Sequence, residues 1–306
     1  MNSRQQPVHV KNICVRKISM MQDPELLHLY LESKIVQLVE AVESADLDIP
    51  SEIPIDSVRR RVDLLRKLRE TCASGDGWIL QKESHGVRTY YQNHPETTNI
   101  HSIRLDGDVE APMFIVLALF HEVDLFSKWI PTYSFLGLNF ARLVKHPSPT
   151  ELLVHLNINI PWPFANRYCF FHCDGIDCMD AMEPQIGVML NNLTSETDNG
   201  VQDEAVKTTF HEPSGILLTP LPSGATRVQV VVNVDPQISL VPDWLIDFAV
   251  RNLAYLIILQ IRKAVEIVKA DPEYHKRMTD ADNEFYNHIK KRISESLPSE
   301  KEFIPV

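Results

Sequence analysis

The sequence predicts an α+β fold: a curved antiparallel β-sheet gripping a long C-terminal helix around an internal hydrophobic tunnel, with extra N- and C-terminal helices. Three observations carry this. Helical spacing governs the chain before residue 74 and after residue 242, whereas the stretch between is mostly short strands in sequential order. Residues 226–234 alternate cleanly, with Val228, Val230, Val232 and Val234 on one side. The helix predicted over 242–270 is apolar on more than one side, because Ala254-Tyr255-Leu256-Ile257-Ile258-Leu259 is uncharged throughout. A surface helix needs only one apolar stripe. This one has two surfaces to keep from water, one for the sheet and one for a cavity.

The elements follow in order. Asp23-Pro24-Glu25 is a helix start, an N-cap residue with Pro at the first position and an acid in the first turn. Leu27, Tyr30, Leu31, Ile35, Leu38 and Val39 give that helix its stripe. A second helix spans about 56–73. Val58, Val62, Leu65 and Leu68 form its apolar side, and Arg59, Arg60, Arg61, Arg66, Lys67 and Arg69 its basic side. Ser74-Gly75-Asp76-Gly77 is a turn. Strands are predicted at 78–83, 87–92 and 100–105, a helix at 112–123, and a short one after Asp124.

Further strands are predicted at 138–144, 152–160, 167–173, 186–191, 205–210, 216–221 and 226–234. Pro242 fits the first position of the long helix and Asp271-Pro272 its stop. Residues 273–297 form a final amphipathic segment, with Phe285, Ile289 and Ile293 at four-residue steps. The expected organisation is a flexible arm (1–22), an N-terminal helical region (23–74), a strand-rich domain closed by the long helix (75–270) and a helical tail (271–306).

Composition narrows the function class. Hydrophobic residues make up 44% and charged residues 23% of the 306, as in ordinary globular proteins. A formal charge of -11 argues against nucleic acid as a partner. Five scattered Cys do not suggest a disulfide framework and favour a reducing, cytoplasmic setting. No apolar stretch follows the start, so no secretory signal is expected; the basic residues of 1–22 leave organelle targeting as a weaker alternative. Arg251 and Arg262 bracket the uncharged helical run, which is far shorter than the roughly 20 residues a bilayer core requires.

Four stretches resemble the StAR-related lipid transfer (START) domain family, of helix-grip fold. They are Ala111-Pro112 with Asp124-Leu125-Phe126-Ser127-Lys128-Trp129, then residues 159–168 around Pro161-Trp162-Pro163, then 224–234, then 238–249 with Pro242-Asp243-Trp244-Leu245. Together they cover about 75–270. The family commonly has Arg-Asp after the Pro loop. Here it is Arg167-Tyr168, which removes a possible local ion pair.

The resemblance implies non-covalent binding of one lipid, of phospholipid, sterol or fatty-acid type, and transient contact with a membrane surface. It implies no cofactor, no metal and no catalysis. Polar candidates for orienting the headgroup are Arg142, His155, Asn157 and Asn252. Trp129, Tyr133, Tyr168 and Tyr255 have rings that suit a choline-like cation. Phe140, Phe170, Phe248, Leu256 and Leu259 are the apolar lining expected. Trp162, Phe164, Leu240 and Trp244 are the expected gate or membrane contacts.

Two other readings compete with this one. A helix-grip enzyme of cyclase or hydrolase type, acting on a hydrophobic molecule, would need His155 or His172 in the cavity as a general base. A lipid-responsive regulatory module would use the helical ends to contact partners. Cys169, His172, Cys173 and Cys178 invite a zinc reading, but Cys169 and Cys173 share a strand face that His172 does not, and no second Cys pair completes four ligands.

Overall fold

The computed structural model describes residues 55–94, 100–130, 137–160, 162, 164–179, 184–192, 205–237 and 254–297. Helix α1, Ile55–Ala73, comes first. Its polar side is laced by ion pairs one turn apart, Arg66 to Asp63 at 2.7 Å and to Glu70 at 3.0 Å, and Lys67 to Asp63 at 2.9 Å. The expected helix before residue 42 lies outside the described residues.

Strands β1 (Ile79–Ser84), β2 (Val87–Asn93) and β3 (His101–Val109) form an antiparallel meander. Helix α2 (Met113–His121) and a 3-10 turn (Val123–Lys128) follow. Then come β4 (Gly137–Ser148), β5 (Glu151–Asn159), β6 (Arg167–Cys178), β7 (Gln185–Asn192), β8 (Val206–Lys207), β9 (Thr209–Pro220) and β10 (Thr226–Asp235). Helices α3 (Tyr255–Ala270), α4 (Pro272–Thr279) and α5 (Glu284–Ser296) end the described chain. The strand order is β1-β2-β3-β10-β9-β7-β6-β5-β4, an open sheet with β1 and β4 at its edges. The first three strands therefore join the rest through β10, the strand that precedes the helix.

Three expectations are corrected. The single strand predicted at 205–210 is split at Thr208. Val206 and Thr208 donate their amides to the carbonyls of Asn166 and Tyr168, so β8 runs parallel to the start of β6, and from Thr209 the chain changes neighbour to β10. The strand expected from 216 instead begins at Thr209 and runs through Pro213. Pro213 has no amide to give the ladder. The ladder shifts register there, and the amide of Asn233 is taken by the hydroxyl of Ser214 at 2.9 Å. The tail is also two helices rather than one segment. Asp271 caps α4 by accepting from the amide of Glu273, with Pro272 at the first turn, and Asn283 caps α5 by accepting from Tyr286.

Register assigns every strand residue to a face, since directly opposed residues share one. Gly107 marks the inner face: a Cβ there would lie 2.7 Å from Cγ2 of Ile258 on α3. Val87 and Val228 pair with Gly107, Leu218 with Val228, and Ile186 with Leu218. These side chains and the α3 stripe of Ile258, Ile261, Val265 and Val268 form one buried core. A second core lies at the β4–β6 end, where Val123 of the 3-10 turn packs with Leu152, Val154, Cys169 and Phe171 of the same face. Arg262 seats α3 by donating to the carbonyls of Asp108 at 2.8 Å and His85 at 2.6 Å.

The helical tail is docked on this fold. Tyr274, Met278, Phe285, Tyr286, Ile289 and Ile293 are buried in the same core as α2. Glu122, at the end of α2, accepts from the Tyr286 hydroxyl at 2.7 Å and from Nη1 of Arg277 at 2.5 Å.

Candidate functional site

Between its two cores the inner face is only partly covered. Val230, Ile216 and Val188 form one cross-strand run, Ile103 lies one inward position further along β3 opposite Val232, and Leu190 and Leu156 continue the run toward β5; all are half-buried and apolar. Neighbours nearer α3, such as Leu105, Val228 and Leu218, are buried. The inner wall is therefore, among the described residues, an apolar trough whose central side chains are only half-buried, the property expected of a site for a hydrophobic ligand.

At one end of the trough β2 and β3 bring Tyr91 and His101 together, with the Tyr91 hydroxyl and Nδ1 of His101 sharing a hydrogen bond of 2.9 Å. Both lie on the inner face with Ile103. Burial lowers the pKa of His101, against an opposing pull from Asp235 and with help from His94, and its Nε2 has no hydrogen-bond partner. The Thr89 hydroxyl, buried on the same face, is likewise unpartnered.

Arg167 stands on the inner face at the start of β6, opposite Ile158, and is buried. Its guanidinium donates to the carbonyl of Pro236 at 2.6 Å and to those of Ala165, Asn166 and Gln237. It thus joins the loop before β6 to the chain leading out of β10. Burial lowers its pKa. The missing acid after Arg167 is explained here: backbone carbonyls do the work of a counter-ion.

The predicted site residues divide by face. His155 pairs with Phe170 and Arg142, and Asn157 with Tyr168 and Phe140, so all six stand on the outer face, opposite the trough. This corrects the expectation that they line a tunnel. Side chains on a strand point alternately to either side, and the face bearing Val154 and Leu156 is the one turned to the helices. The six still form a unit. His155, only 7% exposed, has the rings of Phe140, Tyr168 and Phe170 at 4.9, 5.7 and 5.9 Å, and Arg142 lies over Phe140.

Trp129 is buried in the α3 core, edge-on to Phe126. Tyr255 is buried at the start of α3, with its hydroxyl 2.7 Å from Nδ1 of His85 and Lys82 over its ring. Leu259 packs partly buried against the core. Leu256 is 48% exposed on the side of α3 away from the buried stripe, so it is no part of the inner wall as described. Trp162 is 92% exposed, and Phe164 is half-buried. Tyr133, Leu240, Trp244, Phe248 and Asn252 lie outside the described residues.

The residues that sequence reasoning missed are Tyr91, His101 and Arg167. Alternation from Ile103 and Leu105 would have placed Tyr91 and His101 inward once the pairing was known; nothing in the sequence shows what Arg167 grips.

The histidines of the enzyme alternative, His155 and His172, both stand on the outer face. Cys169 is buried and Cys173 half-buried on the inner one, where removal from water pushes the Cys169 thiol up to about 12 and Cys173 higher still. They cannot share a metal with His172 across the sheet.

The START domain profile matches residues 63–270, more than half of the chain. The chain belongs to the START domain family. The match begins within α1 and ends with α3. Solved structures agree on the helix-grip fold of this START domain. It superposes on human STARD10 with a TM-score of 0.57 at 16% identity, covering 74% of this chain and 86% of that one. Human StAR-related lipid transfer protein 5 gives 0.53 at 14% identity, with 70% and 98% covered. A STAR-related lipid transfer protein fragment from Xanthomonas axonopodis gives 0.51 at 20% identity, with 62% and 99% covered. No curated protein sequence matches the chain. Among the described residues no helix is long and apolar enough to cross a membrane.

Proposed function

We propose that this START domain binds one lipid molecule non-covalently along the trough of the inner face and passes it to and from membranes. The half-buried apolar run from Ile103 to Leu156 carries the proposal. Apolar surface removed from water is worth roughly 25 cal/mol per Å², so a lipid chain laid along such a wall is held without any covalent step. Tyr91 and His101 supply a neutral polar end, where the unpartnered imidazole nitrogen meets a hydroxyl or carbonyl of the ligand once the site opens. Exchange requires an opening. Trp162, exposed before β6, suits the interface of a bilayer, where Trp is enriched. Arg167 ties that loop to the exit of β10, so the two elements flanking the trough's end move together.

The test is native mass spectrometry of the purified protein, with extraction and identification of any bound lipid, followed by uptake of fluorescent phospholipid, sterol and fatty acid. A stoichiometric lipid, or saturable uptake of one class, is expected. A protein that is free of lipid and takes up none of the three overturns the proposal.

A further inference from the structure

We propose that Glu151, His172 and Asp174 bind a divalent transition-metal ion on the outer face of the sheet, away from the lipid trough. Glu151 and Asp174 are directly opposed on β5 and β6. Like charges in that relation destabilise a strand pair unless something positive lies between them. His172, two residues before Asp174 on the same face, fills the corner: its Nδ1 is 3.2 Å from Oδ2 of Asp174 and its Nε2 is 3.6 Å from Oε2 of Glu151. One ligand atom from each residue falls within 4.8 Å of the others.

The spacing suits a metal. Ligands bound tetrahedrally at about 2.0–2.1 Å sit roughly 3.4 Å from one another, close to the His172–Asp174 separation. Glu151 closes the remainder by rotating its own partly accessible side chain. Asp174 is buried, and the amide of Asn191 on β7 donates to its Oδ2 at 2.9 Å. That is the outer-shell support by which metal-binding carboxylates are held in orientation. All three ligands stand on paired strands rather than loops, so the backbone of the site is pre-formed.

The donor set identifies the ion. One imidazole nitrogen and two carboxylate oxygens favour Zn²⁺, Mn²⁺ or Co²⁺ over Ca²⁺ or Mg²⁺, which take oxygen ligands throughout. Cys173 lies between the ligands in sequence but faces the opposite side, so the site contains no sulfur. Three protein ligands leave the other positions to water. Such an ion staples β5 to β6, and Asn191 links it to β7.

The experiment compares the chelator-treated full chain with its Glu151→Gln and His172→Gln variants. Melting temperature is measured with Zn²⁺ added, and visible absorption with Co²⁺. The expected result is a rise of about 4 °C for the wild type at 100-fold excess over the dissociation constant, lost in both variants. One equivalent of Co²⁺ should bind with weak visible bands and no thiolate charge-transfer band. No shift in the wild type, an equal shift in the variants, or a thiolate band overturns the proposal. Should a variant fail to fold, the wild-type Co²⁺ titration decides by itself: one sulfur-free site supports the proposal, and none refutes it.

Discussion

Nε of Arg167 donates to the carbonyl oxygen of Pro236 across 2.6 Å, joining the first residue of β6 to the chain just past β10. The same guanidinium holds Ala165 and Asn166 in the loop before β6. Lysine presents a point charge on a flexible stem and cannot reproduce this fork. Arg167→Lys is therefore expected to loosen both segments together. Stopped-flow release of a fluorescent lipid should quicken several-fold, and proteolysis near residues 165 and 237 should increase in parallel. Unchanged release alongside increased cleavage would separate the clamp from any gating role.

Face assignment predicts which substitutions block binding. Val188→Trp or Ile216→Phe places bulk in the trough and should abolish lipid uptake while leaving a cooperative melt. Phe140→Leu and Tyr168→Phe change only the ring box around His155 on the outer face, and uptake should remain within about twofold. Saturation binding with one fluorescent lipid compares all four. Loss of uptake in the outer-face pair would contradict the assignment.

Gly107 is required by close approach. A methyl group there would lie 2.7 Å from Ile258 and 3.4 Å from Val87. Overpacking of this kind costs about 1–3 kcal/mol, so Gly107→Ala should lower stability by that amount in urea unfolding. Ile258→Ala should cost less in that background than in the native one, because it removes the clashing Cγ2 of Ile258. Strict additivity of the two would show that they do not meet.

His121 predicts a pH dependence. Its ring stacks on Phe285 at 3.6 Å and meets His146 and Tyr286 edge-on. Burial, then the neighbouring His146 and Arg277, lower its pKa from 6.5 to about 3. The folded state thus binds this proton less readily than the unfolded chain. The associated stability is present above pH 6.5 and is lost as pH falls toward 3, at no more than about 1.4 kcal/mol per pH unit. His121→Phe should flatten that slope between pH 6.5 and 5, as read by urea unfolding at each pH. An unchanged slope would assign the acid sensitivity elsewhere.

Much of the fold was legible in the sequence because period and punctuation are local. The alternation of residues 226–234, the stop at Asp271-Pro272 and the four-residue steps of Phe285, Ile289 and Ile293 each reappear as β10, the end of α3 and the buried side of α5. The START resemblance rested on the same kind of local signal, spaced along the chain. The strand at 205–210 was misread because its division at Thr208 depends on two different neighbours, β6 and β10, that are remote in sequence.

By itself, then, the sequence determined the order of elements, the helix-grip architecture and membership of the family. It also showed that β5 has two distinct faces, Val154 and Leu156 on one and His155 and Asn157 on the other. Tertiary structure alone decided which face looks inward. A strand's alternation is symmetric under exchange of its two sides, and only the packing of α3 on Gly107 and of the 3-10 turn on Val154 breaks that symmetry. The same packing moved the candidate site from His155 and Asn157 to Tyr91, His101 and the partly covered wall between the two cores.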